Sequence, residues 1–558
     1  MKRYLLFLVA LLVSMVMAAA DKLPKKVGKA RASVASVLTY RNGTLKENGT
    51  AVFVGGRGEA ILSCSLLAGA DSAVVIGADG KARPVQGIVG LNNIYDCVKV
   101  RVVADKKITY MPVSSTGVPV GGELYMLSYG RKGGGNVTKV NVVAVDSLYS
   151  NAYYTLDARM QDSYVSMPLV NGDGEFIAIL QPATTGDTCS YAISSVVSDQ
   201  LVTTSVNFGK GYHSGMGIRT LLPDDKDAAL SCMYMQAMVG DSSSYRRVVD
   251  DFINAFPKSY EGYLCKAEYL AVYCRDMDAA DVEWNRAFSL SDKPSEVYFN
   301  RAKVVHSIVL GGDSTSHEML SFGRALEDLD RAIESNNEPM YVNYKADMLF
   351  SHGLYAEAAA CYESLSSTVL KSPELFARAS QCYGLIKEYN RSIELLDSAV
   401  NTLGDAVKLS APYVLTRAIV KMTAGRYRDA VLDFNRYEEA NGGSIANANF
   451  YYMRGQAELG GKMYQQALND FEMSIYLEPE NPLYYIEKGV LCYRVRLVDE
   501  GIRSLEKAKE LATGAVDVYY LLGCLYAGNS ENVLAKENLE KAKELGHPGA
   551  EEKLNELK

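Results

Sequence analysis

The side chains suited to acid–base or nucleophilic work are unevenly spread along this chain. Its five histidines are His213, His306, His317, His352 and His547, so none stands between Met1 and Tyr212. A serine hydroxyl is a poor nucleophile near neutral pH unless a neighbouring base takes its proton, and histidine is the usual base. A hydrolytic role for Ser163 or Ser166 would therefore need a lysine base, or His213 reaching back along the chain. Ten cysteines (Cys64, Cys97, Cys189, Cys232, Cys265, Cys274, Cys361, Cys382, Cys492 and Cys524) show neither a CxxC pair nor dense framework spacing. They read mostly as buried small residues, and with so few histidines no metal site and no cofactor is expected.

Weaker motifs give little more. The stretch from Gly130 to Val137 is glycine-rich but opens no helix after a strand and lacks the lysine-serine ending of a phosphate cradle, so it reads as a hairpin loop. The stretch from Val170 to Glu175 lacks the run of oxygen ligands that a calcium loop needs and reads as a turn. The Asn-Gly-Thr sequons at Asn42 and Asn48 are read as exposed turns.

The elements that must position these groups fall into distinct textures. Residues 1–20 carry Lys2 and Arg3, an apolar run from Leu5 to Met17, and Ala18 to Ala20, the pattern of a cleaved leader for export. The apolar run is too short to span a bilayer, no later segment qualifies, and no integral membrane span is expected. The formal charge of −8 and pI near 5.5 offer no electrostatic footprint for nucleic acid. Residues 21–205 consist of short β-rich runs such as TAVFV, AILSCS and FIAILQ between Gly, Asn and Asp turns, which predicts an all-β barrel or pair of barrels. Residues 206–225 read as a linker.

From residue 226 to 550 the chain repeats itself every 34 residues: Gly455, Gly489 and Gly523 share one column, Ala467, Gly501 and Ala535 a second. Phe471, Leu505 and Leu539 form a third, and Ser474, Ala508 and Ala542 a fourth. This small-small-large-small pattern resembles the signature of tetratricopeptide repeats. Looser copies include Ala418, Ala430 and Phe434, then Ala302 with Ala325, Leu329 and Ala332 across an insertion near Gly311 to Leu320. The resemblance implies about nine helical hairpins stacked as an all-α superhelix. Most of the 38 tyrosines are expected in the interhelix core, Tyr451, Tyr485 and Tyr519 among them. The positions that face the concave groove in that family fall on Asn343, Asp347, Gln381, Tyr452, Gln456, Tyr493, Arg494 and Tyr520. This polar and aromatic lining departs from the Lys and Asn clamp used for acidic C-terminal peptides.

Three segments of the β region, in order, resemble exported trypsin-like serine proteases of the Deg type: NGTAVFVGGRGEAILSCSLLAGAD, IYDCVKVRV, and QDSYVSMPLVNGDGEFIAILQP with CSYAIS. The resemblance implies a double barrel and locates the triad positions one by one. The histidine position falls on Ser65, or on Leu66 in the alternative register; the aspartate is kept as Asp96; the nucleophile position is Val165, with Ser166 and Met167 where the family has glycines. The expectation is thus a multidomain, exported, periplasmic or envelope-associated protein without enzymatic activity, a pseudoprotease joined to a repeat array that binds a protein or peptide partner and associates with envelope complexes. The alternative is a serine protease with a rearranged active site, and a third reading is a spacer that sets distances between other components.

Overall fold

The computed structural model describes residues 23–104, 106–157, 159–161, 165–182, 186–208, 215–312 and 317–557. The leader, Ser163 and His213 lie outside them. By compactness the chain divides into Met1–Asp292 and Lys293–Lys558.

Among its described residues the first unit has twelve strands, β1 (Val34–Arg41), β2 (Thr44–Phe53), β3 (Glu59–Leu62), β4 (Ser72–Ile76), β5 (Ala82–Asn92), β6 (Cys97–Val102), β7 (Glu123–Leu127), β8 (Val137–Leu148), β9 (Asn151–Leu156), β10 (Pro168–Val170), β11 (Phe176–Leu180) and β12 (Ser190–Ser194). They close into two six-stranded barrels, ordered β1-β2-β3-β6-β5-β4 and β10-β11-β12-β9-β8-β7. Alternation builds each wall. In β6 (Cys97–Val102), Val98, Val100 and Val102 point into the first barrel's core, so Lys99 and Arg101 must face outward. The β1 (Val34–Arg41) to β2 (Thr44–Phe53) turn is Asn42-Gly43, both at positive φ, as a two-residue hairpin matching the strand twist requires. Asn48, expected in a turn, instead lies exposed within β2, because one hairpin turn already serves this pair. The glycine-rich stretch at Gly130 connects β7 (Glu123–Leu127) to β8 (Val137–Leu148), as a hairpin loop should. Val34, Val52, Ile61 and Cys97 of the first barrel pack with Leu127, Phe176, Ile179 and Ile193 of the second, so an apolar layer joins the barrels.

Part of the segment read as a linker is bound to the first barrel. Ile88 N donates to Arg219 O and Leu221 N to Ile88 O, both at 2.8 Å, while Thr203 Oγ1 donates to Val89 O at 2.6 Å. These bonds fall where β5 (Ala82–Asn92) bulges, and Gly87 and Gly90 make the approach possible. A Cβ on Gly90 would stand 2.4 Å from the backbone of Leu201. Pairing with a distant strand leaves no local signature, so turn-rich texture alone reads as a connector. The same compact unit holds helices Lys226–Val239, Ser242–Ala255, Tyr260–Tyr269 and Met277–Leu290.

The second unit is a succession of helix pairs, and its repeat columns meet as the sequence pattern requires. A Cβ on Gly455, Gly489 or Gly523 would stand 2.8, 2.5 and 2.5 Å from Phe471, Leu505 and Leu539 of the second helix of the same pair. The small column exists because the large one fills its space. Among the expected core tyrosines, Tyr451 is buried, whereas Tyr485 and Tyr519 are half-buried and Tyr484 takes the buried place. Adjacent aromatics on one helix turn differ by about 100° in direction, so a one-residue choice of column decides which is enclosed.

A feature missed at the sequence level is a buried ion pair within single hairpins. Arg417 grips Asp433 with two bonds of 2.8 and 2.7 Å, Arg454 grips Asp470 at 2.6 and 2.9 Å, and Arg301 grips Asp328 at 2.8 and 2.7 Å. Each arginine immediately precedes the small column and each aspartate the large one. In the first unit Lys266 and Glu283 repeat the arrangement at 2.6 Å, one residue further apart than the 16 of Arg417–Asp433 and Arg454–Asp470 because a π-helical turn, Leu270–Cys274, intervenes.

Candidate functional site

The residues that the sequence resemblance assigns to triad positions lie around a one-turn helix, Cys64–Leu67. β3 (Glu59–Leu62) delivers Ser63, whose side chain caps Cys64–Leu67 by accepting from Ser65 N at 3.2 Å. Asp96 sits at positive φ just before β6 and accepts from Ser65 N at 3.0 Å through Oδ1. Its other carboxylate oxygen, Oδ2, accepts from the Ser63 hydroxyl. The second barrel supplies Ser166, buried and at positive φ two residues before β10 (Pro168–Val170). Its Oγ accepts from Ser63 N at 2.8 Å, and its own N–H donates to Leu180 O at 3.0 Å. Val165, half-buried, precedes it. Ser65, Asp96 and Ser166 therefore converge where the two barrels meet, with Ser63, which the sequence reading overlooked. Its signal was available: a serine one place past a strand and two before Ser65 is the expected cap of a short helix.

Proton bookkeeping at Ser63 is complete. Its one hydroxyl proton goes to Asp96, so the 2.5 Å contact between the Ser63 and Ser65 hydroxyls must be a donation from Ser65. Ser63 Oγ then accepts two hydrogen bonds and donates one, its full capacity. Burial pushes the Asp96 carboxyl above its ordinary range, against the lowering effect of the bonds from Ser63 and Ser65. Burial likewise pushes the neighbouring Cys64 thiol up to about 12. The arrangement ties two barrels together and, among the described residues, presents neither an imidazole nor a thiolate.

The expected groove residues fall into three local groups in the second unit. Asn343 Nδ2 lies 3.5 Å from Asp347, which is held by the Tyr362 hydroxyl and by Arg378 at 2.7 Å; Gln381 is exposed. Tyr452 packs against Tyr484 with ring centres 5.5 Å apart, and Gln456 bonds both Tyr452 and Glu487, whose carboxyl burial pushes up. Tyr493 and Tyr520 meet at Cys524, Tyr520 stacks on His547 at 3.8 Å, and Arg494 is exposed. Tyr362, Arg378, Tyr484, Glu487 and His547 join these groups unforeseen, because a fixed set of repeat positions omits the neighbours on the next helix. Among the described residues no cluster of three or more His, Cys, Asp or Glu side chains is arranged to hold a metal, and no helix is long and apolar enough to cross a membrane. All ten cysteines are free, seven of them buried.

Comparison with known proteins bears on both regions. Residues 49–179 match the trypsin-like peptidase domain family, and residues 319–366 match a tetratricopeptide repeat family. Tetratricopeptide repeat protein 13 of Homo sapiens is 26% identical over 200 residues, which cover 35% of this chain and 22% of that protein. The chain thus spans about a fifth of that relative's length. The crystal structure of the serine endoprotease from Yersinia pestis is similar over 33% of this chain and 65% of its own, at 17% identity and a TM-score of 0.29. With two closed six-stranded barrels in the matched region and paired helices beyond it, the chain joins an N-terminal trypsin-like peptidase domain to a C-terminal tetratricopeptide-repeat region.

Proposed function

We propose that this protein is an exported, non-enzymatic interaction scaffold of the bacterial envelope, in which the trypsin-like domain is a pseudoprotease and the repeats hold a protein or peptide partner. The observation that carries the reading is the saturated hydroxyl network. Ser63 has no lone pair left to attack with, and Asp96, the only base that touches it among the described residues, is a carboxylate far too weak to generate an alkoxide. Ser166 is buried with its Oγ accepting from Ser63 N, no base among the described residues is hydrogen-bonded to it, and Val165 has no hydroxyl to offer. The leader pattern of residues 1–20 supports export. The tetratricopeptide repeats support partner binding, and the groups around Tyr452 and Tyr493 supply the mixed aromatic and polar surface on which interface hot spots are built.

A photo-crosslinking amino acid placed at Arg494 in the full chain tests where the partner lies. One discrete adduct from the envelope fraction is expected, abolished by Tyr452→Ala with Tyr493→Ala while helicity is unchanged. No adduct from the folded, otherwise unaltered chain would move the binding surface to the β domain or the outer helical face, and an adduct that survives the double substitution would show that Tyr452 and Tyr493 do not hold the partner.

A further inference from the structure

The first unit contains a cavity of about 700 Å³ on the outer side of the first barrel, separate from Ser63, Asp96 and Ser166. It is enclosed by outward-facing residues of β6, the end of β2, the strap after the second barrel and the start of helix Lys226–Val239. Such a volume suits a small molecule. Its walls are apolar at Val54, Val89, Val113, Val202 and Leu222, but two charged groups on them, Lys99 and Asp199, are not paired with each other or, among the described residues, with another charge in contact.

Lys99 donates only to the Ser198 carbonyl at 2.7 Å and, among the described residues, forms no ion pair; burial pushes its ammonium below the usual range. Arg101, two residues along the same strand face, is committed: it is held by Asp224 at 2.9 Å and leans on Glu59 at 3.5 Å. Asp199, exposed at the rim, makes no hydrogen bond or ion pair through its carboxylate among the described residues, although Lys99 feels its charge. The other charges are committed: Arg57 pairs with Glu59 and Asp224, and Asp225 caps its helix through Ala228 N. A desolvated ammonium with no counterion in contact is costly. That cost falls if a carboxylate enters, while the carboxylate of Asp199 offers a place for a cation.

We infer that this cavity binds an unblocked apolar zwitterion, its carboxylate on Lys99, its ammonium toward Asp199 and its apolar body against Val89 and Val202. Two sources share that chemistry: a free aliphatic amino acid and a short peptide with both termini free.

Equilibrium dialysis of the full chain against radiolabelled L-leucine and the tripeptide Leu-Gly-Leu tests this. At least one is expected to bind, leucine alone assigning the free amino acid and the tripeptide alone a peptide. N-acetyl-leucine and leucinamide, each lacking one charge, should compete about tenfold more weakly, the worth of one charge-assisted hydrogen bond. Lys99→Met should weaken binding by a similar factor with an unchanged circular dichroism spectrum. If that variant misfolds, the blocked compounds on the unaltered chain still decide. Equal competition by blocked and unblocked forms, full affinity in a folded Lys99→Met variant, or no binding of either probe at millimolar concentration would overturn the inference.

Discussion

Glu458 is buried in the helix Ala448–Gly460 facing Arg454 of its own helix, Asp470 of the next and Glu438 of the one before. Arg454 is fully engaged by Asp470 and Glu438, and Glu458 Oε2 has no partner. Burial, reinforced by the Asp470 charge, pushes the Glu458 carboxyl up to about 8. The folded state thus holds a proton that the unfolded chain releases near pH 4.3. Because the folded form binds more protons between those two values, stability falls as pH rises through that window, by up to about 1.4 kcal/mol per unit. Glu458→Gln, uncharged at every pH, should melt higher than the parent at pH 8 and show a flatter pH dependence from 6 to 8. An unchanged slope in calorimetric scans would show that Glu458 is ionised in the folded protein. In the first unit, Ser166→Ala leaves the buried Ser63 N–H without an acceptor and should cost about 1–3 kcal/mol in denaturant titrations. A loss near zero would mean that the tie between barrels does not hold them.

At the scale of the element, the repeat frame makes a sharp demand at Gly489. Its missing Cβ lies 2.5 Å from Leu505, so Gly489→Leu must push two helices apart, an overpacking worth roughly 1–3 kcal/mol. A thermal midpoint equal to the parent's would break the frame. The columns through Gly489 and Leu505 were legible because a packing contact that recurs at a fixed interval writes itself into sequence repeatedly. The twelve strands were legible in the alternation of runs such as CVKVRV. The docking of residues 219–221 on β5 was not, since its only local trace is a pair of glycines, Gly87 and Gly90, that read equally well as turns. The Arg417–Asp433 type of pair was visible in hindsight as a cation before the small column and an anion before the large one. Its bidentate geometry depends on two helices meeting, which no window of single-helix periodicity contains. At the site, Asp96 and Ser65 came from the resemblance, whereas Ser63 required knowing that barrel loops bring its amide to Ser166.

For the molecule as a whole, the account turns on the proposal that the trypsin-like domain, with Asp96, Ser65 and Val165 assigned to the triad positions from the sequence resemblance, has no covalent chemistry left. In enzymes of this type, loss of triad members costs on the order of 10⁴ to 10⁶ in rate. Here the hydroxyls nearest Asp96 are also bound in a closed network, which adds the cost of breaking it before any attack. The rearranged-protease alternative needs one serine of the first unit to be free and activated. The purified full chain, incubated with a fluorophosphonate probe at neutral pH and examined by intact mass, separates the two most directly. The account predicts no mass increase on any serine between Asp21 and Val206, and no cleavage of unfolded casein above background. Stoichiometric labelling of one of those serines, with casein cleavage lost when that serine is replaced by alanine, would contradict it.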